Sequence, residues 1–469
     1  MAEGSSMYNP YEHREVFAPL SNIDAFISLL KCVIGTGILA MPLAYLYSGM
    51  IGGTVLTIIT TIVLIHGMHL LILCMVESSR RQEMPYCSFP ESMAYAFSVG
   101  PSWCRYCSKA SGYLVDGVLG IAHYGVTVVY IVFVAENCRQ LLAAIHDQNV
   151  DLRIFVAVVG FLVLPLFLVR HLKYLVPFNI CANILMYVGF IIIIVYLFRG
   201  LPALGDRCMF GDPIKLPIYF GIVLFAVTSV GVMLAIESKM KTPENYLGWF
   251  GILNLATVFV VITNVVFGVM GYWRYGEDLA ASITLNIPTD QLFSQLSKAL
   301  IAIAIFLSYP LSGYVTIDII MNRYIGRNRE LKHPHIIEYA VRITFVIIGT
   351  LNAIAFPNLG PLLALVGAFS ISLLNLVFPA CMELSLYYRE PKGYGIGKWK
   401  LWKDIVLILV GIVILSYGSY AAIVQMIDEY GGANKSAKVH ERYLNDPLLQ
   451  IIAETVQSPE ANAESLIML

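Results

Sequence analysis

Charge is what this chain has least of. Only 13% of its 469 residues are Asp, Glu, Lys or Arg, and the formal net charge is -1. That balance gives no basic footprint for nucleic acid and no reason to expect an acidic partner. It also excludes an ordinary soluble fold. With 58% hydrophobic residues and a mean hydropathy of +0.74, there is too little polar surface to cover a globule of this length. Enzyme signatures are missing too. There is no Gly-x-Ser-x-Gly turn, no His-Glu metalloprotease pattern, no phosphate loop and no nucleotide domain for an ATP-driven pump. No metal cluster or cofactor motif appears, since the lone Cys104-x-x-Cys107 lacks the second pair that zinc needs. A cleavable signal is not expected either. The first 22 residues are polar and mixed in charge, and the first apolar run is too long for a signal core.

What is present is apolar sequence in blocks of about twenty residues, the length of helix that spans ~30 Å of hydrocarbon. Eleven such blocks are predicted, near 24–48, 53–77, 111–136, 152–169, 174–198, 217–237, 247–272, 293–320, 336–355, 359–387 and 403–426. The organisation expected is an all-α integral membrane domain over 24–426. A short segment (1–23) precedes it and a polar tail (427–469) follows it. Eighteen Lys and Arg fall in the loops on the N-terminal side and six in the opposite loops, with three more in the tail. The positive-inside rule then puts the N-terminus in the cytosol and, with an odd number of spans, the C-terminus outside or in a lumen. The membrane expected is plasma membrane or a lysosomal or endosomal one.

The first block carries its own breaking point, Ile34-Gly35-Thr36-Gly37, followed by Pro42. An unpaired backbone group in lipid costs several kcal/mol, so an unwound stretch persists only where it lines a cavity or binds something. The alternatives are a kink or a small-residue packing face. The sixth block has small residues at the matching depth, Val227-Thr228-Ser229-Val230-Gly231. Five spans is an odd number, so a second set of five enters the membrane from the opposite side. Its first helix is then the inverted counterpart of the first span. Paired interruptions of this kind point to a transporter with a midplane site. The substrate site expected is Ile34 to Gly37 against Val227, Thr228, Ser229 and Gly231. Tyr309 and Ser312, from the eighth block, lie at a similar depth.

These residues also resemble a known family. The segment around Lys31-Cys32-Val33-Ile34-Gly35-Thr36-Gly37 is similar to the first span of the amino acid/auxin permease family, in its animal proton-coupled amino acid transporter branch. Supporting stretches are IVFVAEN (131–137), FGIVLF with ESKMK (220–225, 237–241), GYWRYGEDLAASITLNIP (271–288) and LVGAFSISLL (365–374). The resemblance covers about 25–425. It implies a LeuT-type fold with 5+5 inverted repeats, about 24–198 and 217–387, broken helices 1 and 6 and an eleventh helix at 403–426. It also implies movement of small neutral amino acids driven by protons. The chain departs from the family at the site. Cys32-Val33 stands for Gly-Asn, Thr228-Ser229 for Glu-Gly, and Ser28 for a histidine often linked to proton coupling. The departures predict altered substrate preference, or transport without tight coupling. An amino acid sensor with little flux, or an uncoupled facilitative transporter, are the alternatives.

Candidate proton carriers follow from ionisable residues inside spans, where a charge costs at least ~2.5 kcal/mol. Asp116, His123 and Tyr130 recur at spacings of seven in the third block, and His123 falls near mid-membrane. The alternative for His123 is a neutral ring bonded to a neighbouring helix. His66 and His69 share a face of the second block, where interhelical bonding is the commoner role. Cys138 and Cys208 both fall on the predicted outer side, where a disulfide is permitted. Asn434-Lys435-Ser436 is a glycosylation sequon in the predicted outer tail. The partners implied are a small amino acid, protons and the bilayer.

Overall fold

A computed structural model describes residues 8–14, 16, 19–146, 150–170, 172–227, 230–325, 333–390 and 393–428. Asn434 lies outside them. The chain forms two units: Met1–Ala422, and Ile423–Leu469, described only over 423–428, which are helical. Among the described residues the secondary structure is helical apart from one isolated bridge between Leu20 and Met240. Nine helices among the described residues are long and apolar enough to cross a membrane, or ten if one bent pair is taken as a single span. Leu152–Phe167, the fourth predicted span, is an apolar helix of 16 residues.

The bent pair is the first predicted span. Helix α1 (Asn22–Val33) starts in a capping box, Ser21 with Asp24, and stops where Ile34 turns extended at φ -73° and ψ 96°. Helix α2 (Thr36–Ser48) restarts after Gly35, and the two axes differ by 53°. Pro42 does not break α2, which runs through it. Its ring instead packs so closely on Gly271 that a Cβ there would sit 2.4 Å from Pro42 Cγ. The expected loosening at Pro42 is therefore a packing contact.

The remaining helices used below are α3 (Met50–Arg81), α4 (Phe89–Val99), α5 (Ser108–His146), α6 (Leu152–Phe167) and α7 (Leu172–Leu197). Helices α8 (Leu216–Val227) and α9 (Val230–Glu237) flank Thr228 and Ser229, which lie outside the described residues. They are followed by α10 (Ile252–Tyr275), α11 (Leu292–Asp318), α12 (Pro334–Ala355) and α13 (Leu359–Val366). Two π-helical turns, Gly367–Ile371 and Leu373–Val377, carry α13 onward to Leu386. The last long helix begins at Trp399.

α2 and α8 meet at bare backbone. A Cβ added to Gly37 would sit 2.5 Å from Ala226 Cα. On the other flank of α8 a Cβ on Gly221 would sit 2.3 Å from Ala364 O. Ordinary carbon contacts begin near 3.5 Å, so these seams admit glycine and nothing larger without moving a helix.

The N-terminal segment is fastened to one face of the bundle. Arg14 Nη1 pairs with Glu237 at 2.8 Å, both side chains almost fully buried, and Arg14 Nε donates to Pro85 O at 3.1 Å. Tyr11 and Tyr86 lie against the guanidinium. Burial pushes both phenols up to about 12, so they flank Arg14 as neutral rings across the physiological range. Lys241 N donates to Leu20 O and Leu20 N to Lys239 O, tying the start of α1 to the end of α9. Removing one partner of a buried ion pair leaves the other uncompensated, at about 3–5 kcal/mol. Arg14→Ala is therefore expected to lower the melting temperature of the purified protein clearly. Arg14→Ala with Glu237→Gln should recover part of the loss. An Arg14→Ala protein that melts like wild type would show that the pair does not hold this face together.

Candidate substrate site

The break between α1 and α2 opens on a cavity of about 350 Å³. Ile34, Gly35, Thr36 and Gly37 all line it. Gly35 has no side chain with which to cap α2, so the first amides of α2 lack an intrahelical partner at the cavity. Those donors and the positive end of the helix suit a carboxylate. The opposite wall is α9, with Val230, Gly231, Val232 and Ile236, joined by Phe225 of α8. Val227 is buried but is not among the lining residues.

His123 lies in the cavity wall, 7% exposed. Its ring bears on Gly231, where an added Cβ would sit 2.8 Å from Nε2, and it lies toward the main chain of Ser312. One imidazole thus joins α5, α9 and α11. Tyr130 lines the cavity one stretch further along α5, whereas Asp116 does not. Seven residues carry Asp116 about 10 Å down the axis and about 20° round it. There it pairs with Arg323 at 2.5 Å, outside the cavity. His66 is exposed on α3, also away from the cavity, and His69 Nδ1 bonds the Ile65 carbonyl at 2.9 Å.

On α11, Ser308, Leu311 and Ser312 face the cavity, and their spacing of three and four defines one helical face. Tyr309 sits about 100° off that face. It is buried with its ring edge-on to Phe167, centroids 5.5 Å apart, and is not among the residues that line the cavity. Cys138, half-buried, and Cys208, exposed, are free thiols in this structure rather than bridged.

Sequence reasoning missed three contributors. Asn179 and Asn183 of α7 line the cavity with amides four residues apart, and Phe225 places an aromatic ring there. Two asparagines at helical spacing in an otherwise apolar span were the available signal. Lys298 was missed as well. It is fully buried in α11 and donates to Gln140 Oε1 at 2.9 Å, but it does not line the cavity.

Electrostatically, the cavity has one charged lining residue among those described, the exposed Lys31, and no carboxylate. A cationic solute finds no counter-charge there. A zwitterion finds amides at the α2 end, hydroxyls at Ser308 and Ser312, and an apolar wall of Leu119, Ala122 and Val126.

Residues 18–424 match the family model described as transmembrane amino acid transporter protein. The chain is 33% identical to the proton-coupled amino acid transporter-like protein pathetic of Drosophila melanogaster, over 90% of this chain and 89% of that one. It is 23% identical to the probable amino acid transporter skat-1 of Caenorhabditis elegans, over 87% and 90%. Among solved structures it is similar to MHP1, a nucleobase-cation-symport-1 family transporter. That likeness has 13% identity, covers 92% and 96% of the two chains, and has a TM-score of 0.46, too low to bear on the argument. The cavity geometry needs no such support, and the match over most of both sequences decides the affiliation: the chain belongs to the transmembrane amino acid transporter protein family.

Proposed function

We propose that this protein is a secondary transporter of small neutral amino acids working by alternating access around the α1–α2 break, with proton coupling through His123. The observation that carries the reading is the 53° break lying on a hollow of about 350 Å³. That volume is at the small end of ligand sites, which run ~300–1,000 Å³. The absence of a lining carboxylate among the described residues selects against cationic side chains, and the apolar wall favours short aliphatic ones.

In this reading Leu152–Phe167 completes eleven crossings. Its 16 residues reach about 24 Å, and a short span is accommodated by local thinning of the bilayer. α1–α2 and α8–α9 are the inverted counterparts. The loop distribution of Lys and Arg supports a cytosolic N-terminus. With that orientation Ser28, Lys31, Asn179 and Ile236 come from the cytosolic halves of their helices, which supports reading the hollow as the inward-facing site. Movement of α1 and α9 then exchanges access, and the Leu20–Met240 link makes them move together.

The test is uptake of labelled glycine, alanine, proline and lysine into proteoliposomes over a series of outside pH values. Saturable uptake of the short neutral substrates, larger under an inward proton gradient, is expected. Saturable binding without uptake would replace transport by sensing, and uptake indifferent to pH would remove the coupling.

A further inference from the structure

The perimeter of the bundle carries a second hollow, apart from the transport cavity. It lies between α5, α12 and the end of α11 with its π-helical extension Ile319–Ile325, and its volume is about 650 Å³. Gly117, Ile121, Thr316, Ile320, Ala340 and Phe345 are among its walls, which are apolar almost throughout. Ile121 and Ile348 on its rim are about half exposed, at 51% and 48%, within helices that span the membrane. What they face is hydrocarbon.

Two features say which part of the bilayer fills it. Along α12 it runs from Ile337 to Ile348, about 16 Å at helical rise, or half of the ~30 Å core. That is the depth of one leaflet. Its polar end holds Asp116 and Tyr324. Arg323 pairs with that Asp116 and donates from Nη2 to Ser88 at 3.0 Å, near the Pro85 that receives Arg14. The polar end therefore lies on the face where the N-terminal segment is fastened. A guanidinium has five N–H donors, and among the described residues Arg323 uses two of them, on a side chain that is 28% exposed. Arginine with spare donors at an interface suits a phosphate.

We propose that this hollow binds one acyl chain of a phospholipid from the leaflet on the N-terminal face, with the lipid phosphate held by Arg323. The site touches the transport machinery through two helices. Thr316 Oγ1 donates to Gly120 O at 3.0 Å, and these residues stand one turn from Ser312 and His123. A chain seated there fixes the spacing of α5 and α11, so occupancy modulates uptake. This last consequence rests on the transport reading above, whereas the lipid site itself does not.

A Cβ at Gly117 meets nothing within 4 Å, so a side chain there starts in open space at the hollow. The test uses Gly117→Trp and, from the opposite wall, Ala340→Phe. The full chain, purified in mild detergent, is given phosphatidylglycerol or diacylglycerol with the same chains, and native mass spectrometry counts what it retains. One phosphatidylglycerol per wild-type chain is expected, falling by about tenfold in either variant, with diacylglycerol retained far less. Variable adducts equal in wild type and both variants mean annular lipid only and overturn the site. Equal retention of both lipids overturns the role of Arg323. Uptake is measured separately on the same preparations: lost lipid with unchanged uptake overturns the coupling. A wild type that retains the lipid but shows no uptake sinks the transport reading and leaves the lipid site standing.

Discussion

Gly37→Val is expected to abolish amino acid uptake in proteoliposomes while the protein still inserts and purifies as a single species. The reason is the α2–α8 seam, where the first atom of any side chain at Gly37 meets Ala226 Cα at 2.5 Å. Backbone cannot swing aside as a flexible side chain can, so the two helices must part by about 1 Å to reach ordinary contact. Overpacking of this kind costs about 1–3 kcal/mol. Placed on one conformation of the transport cycle, the upper figure corresponds to roughly a 100-fold loss of rate. Gly35 is the control. Nothing lies within 4 Å of a Cβ there, so Gly35→Ala should keep most of the uptake. Normal transport by Gly37→Val would put the moving seam elsewhere. Equal loss in both variants would make backbone freedom at the break, rather than close approach, the requirement.

His123→Gln is the second. Glutamine keeps an amide and fills similar space against Gly231, but it cannot take a proton. A single imidazole in the coupling step makes uptake change by up to about tenfold per pH unit around its titration. Wild-type uptake is expected to rise as outside pH falls from about 7.5 to 5.5, because protonation must precede inward movement. The variant should transport at pH 7.5 with a flat profile, changing by less than about twofold across that range. A variant with the wild-type slope would remove His123 from the coupling step. A flat profile with wild-type KM separates a lost proton carrier from a damaged binding site.

Part of this site is legible in the sequence. The break at Gly35 was readable because glycine and a hydroxyl in mid-span contradict the surrounding apolar run, and lipid tolerates that contradiction only at a cavity. His123 was readable for the same reason. Asp116 and Tyr309 were harder. Spacing by seven places residues near one face, yet it does not say how deep the cavity reaches, and Asp116 falls beyond its edge onto Arg323. Tyr309 shares a depth with Ser312 but not a face, and Phe167 takes its ring. The fastening of Arg14 to Glu237 joins residues 223 apart, a distance along the chain at which local pattern is silent. Pro42 illustrates the converse: a helix-breaking residue lies within continuous α2, its ring packed against Gly271.

By itself the sequence determined that the chain lives in a bilayer, roughly where it crosses, and that its first crossing is interrupted. Those are one-dimensional properties, since hydropathy, helix length and the tolerance of lipid for free amides are all read residue by residue. The tertiary structure decided which face of each helix meets the hollow, which ionisable groups are tied up in pairs, and that Asn179, Asn183 and Phe225 line the cavity. Helix rotation and approach are set by packing between segments far apart in sequence. Glycine seams such as Gly37 on Ala226 fix them only once both partners are in place.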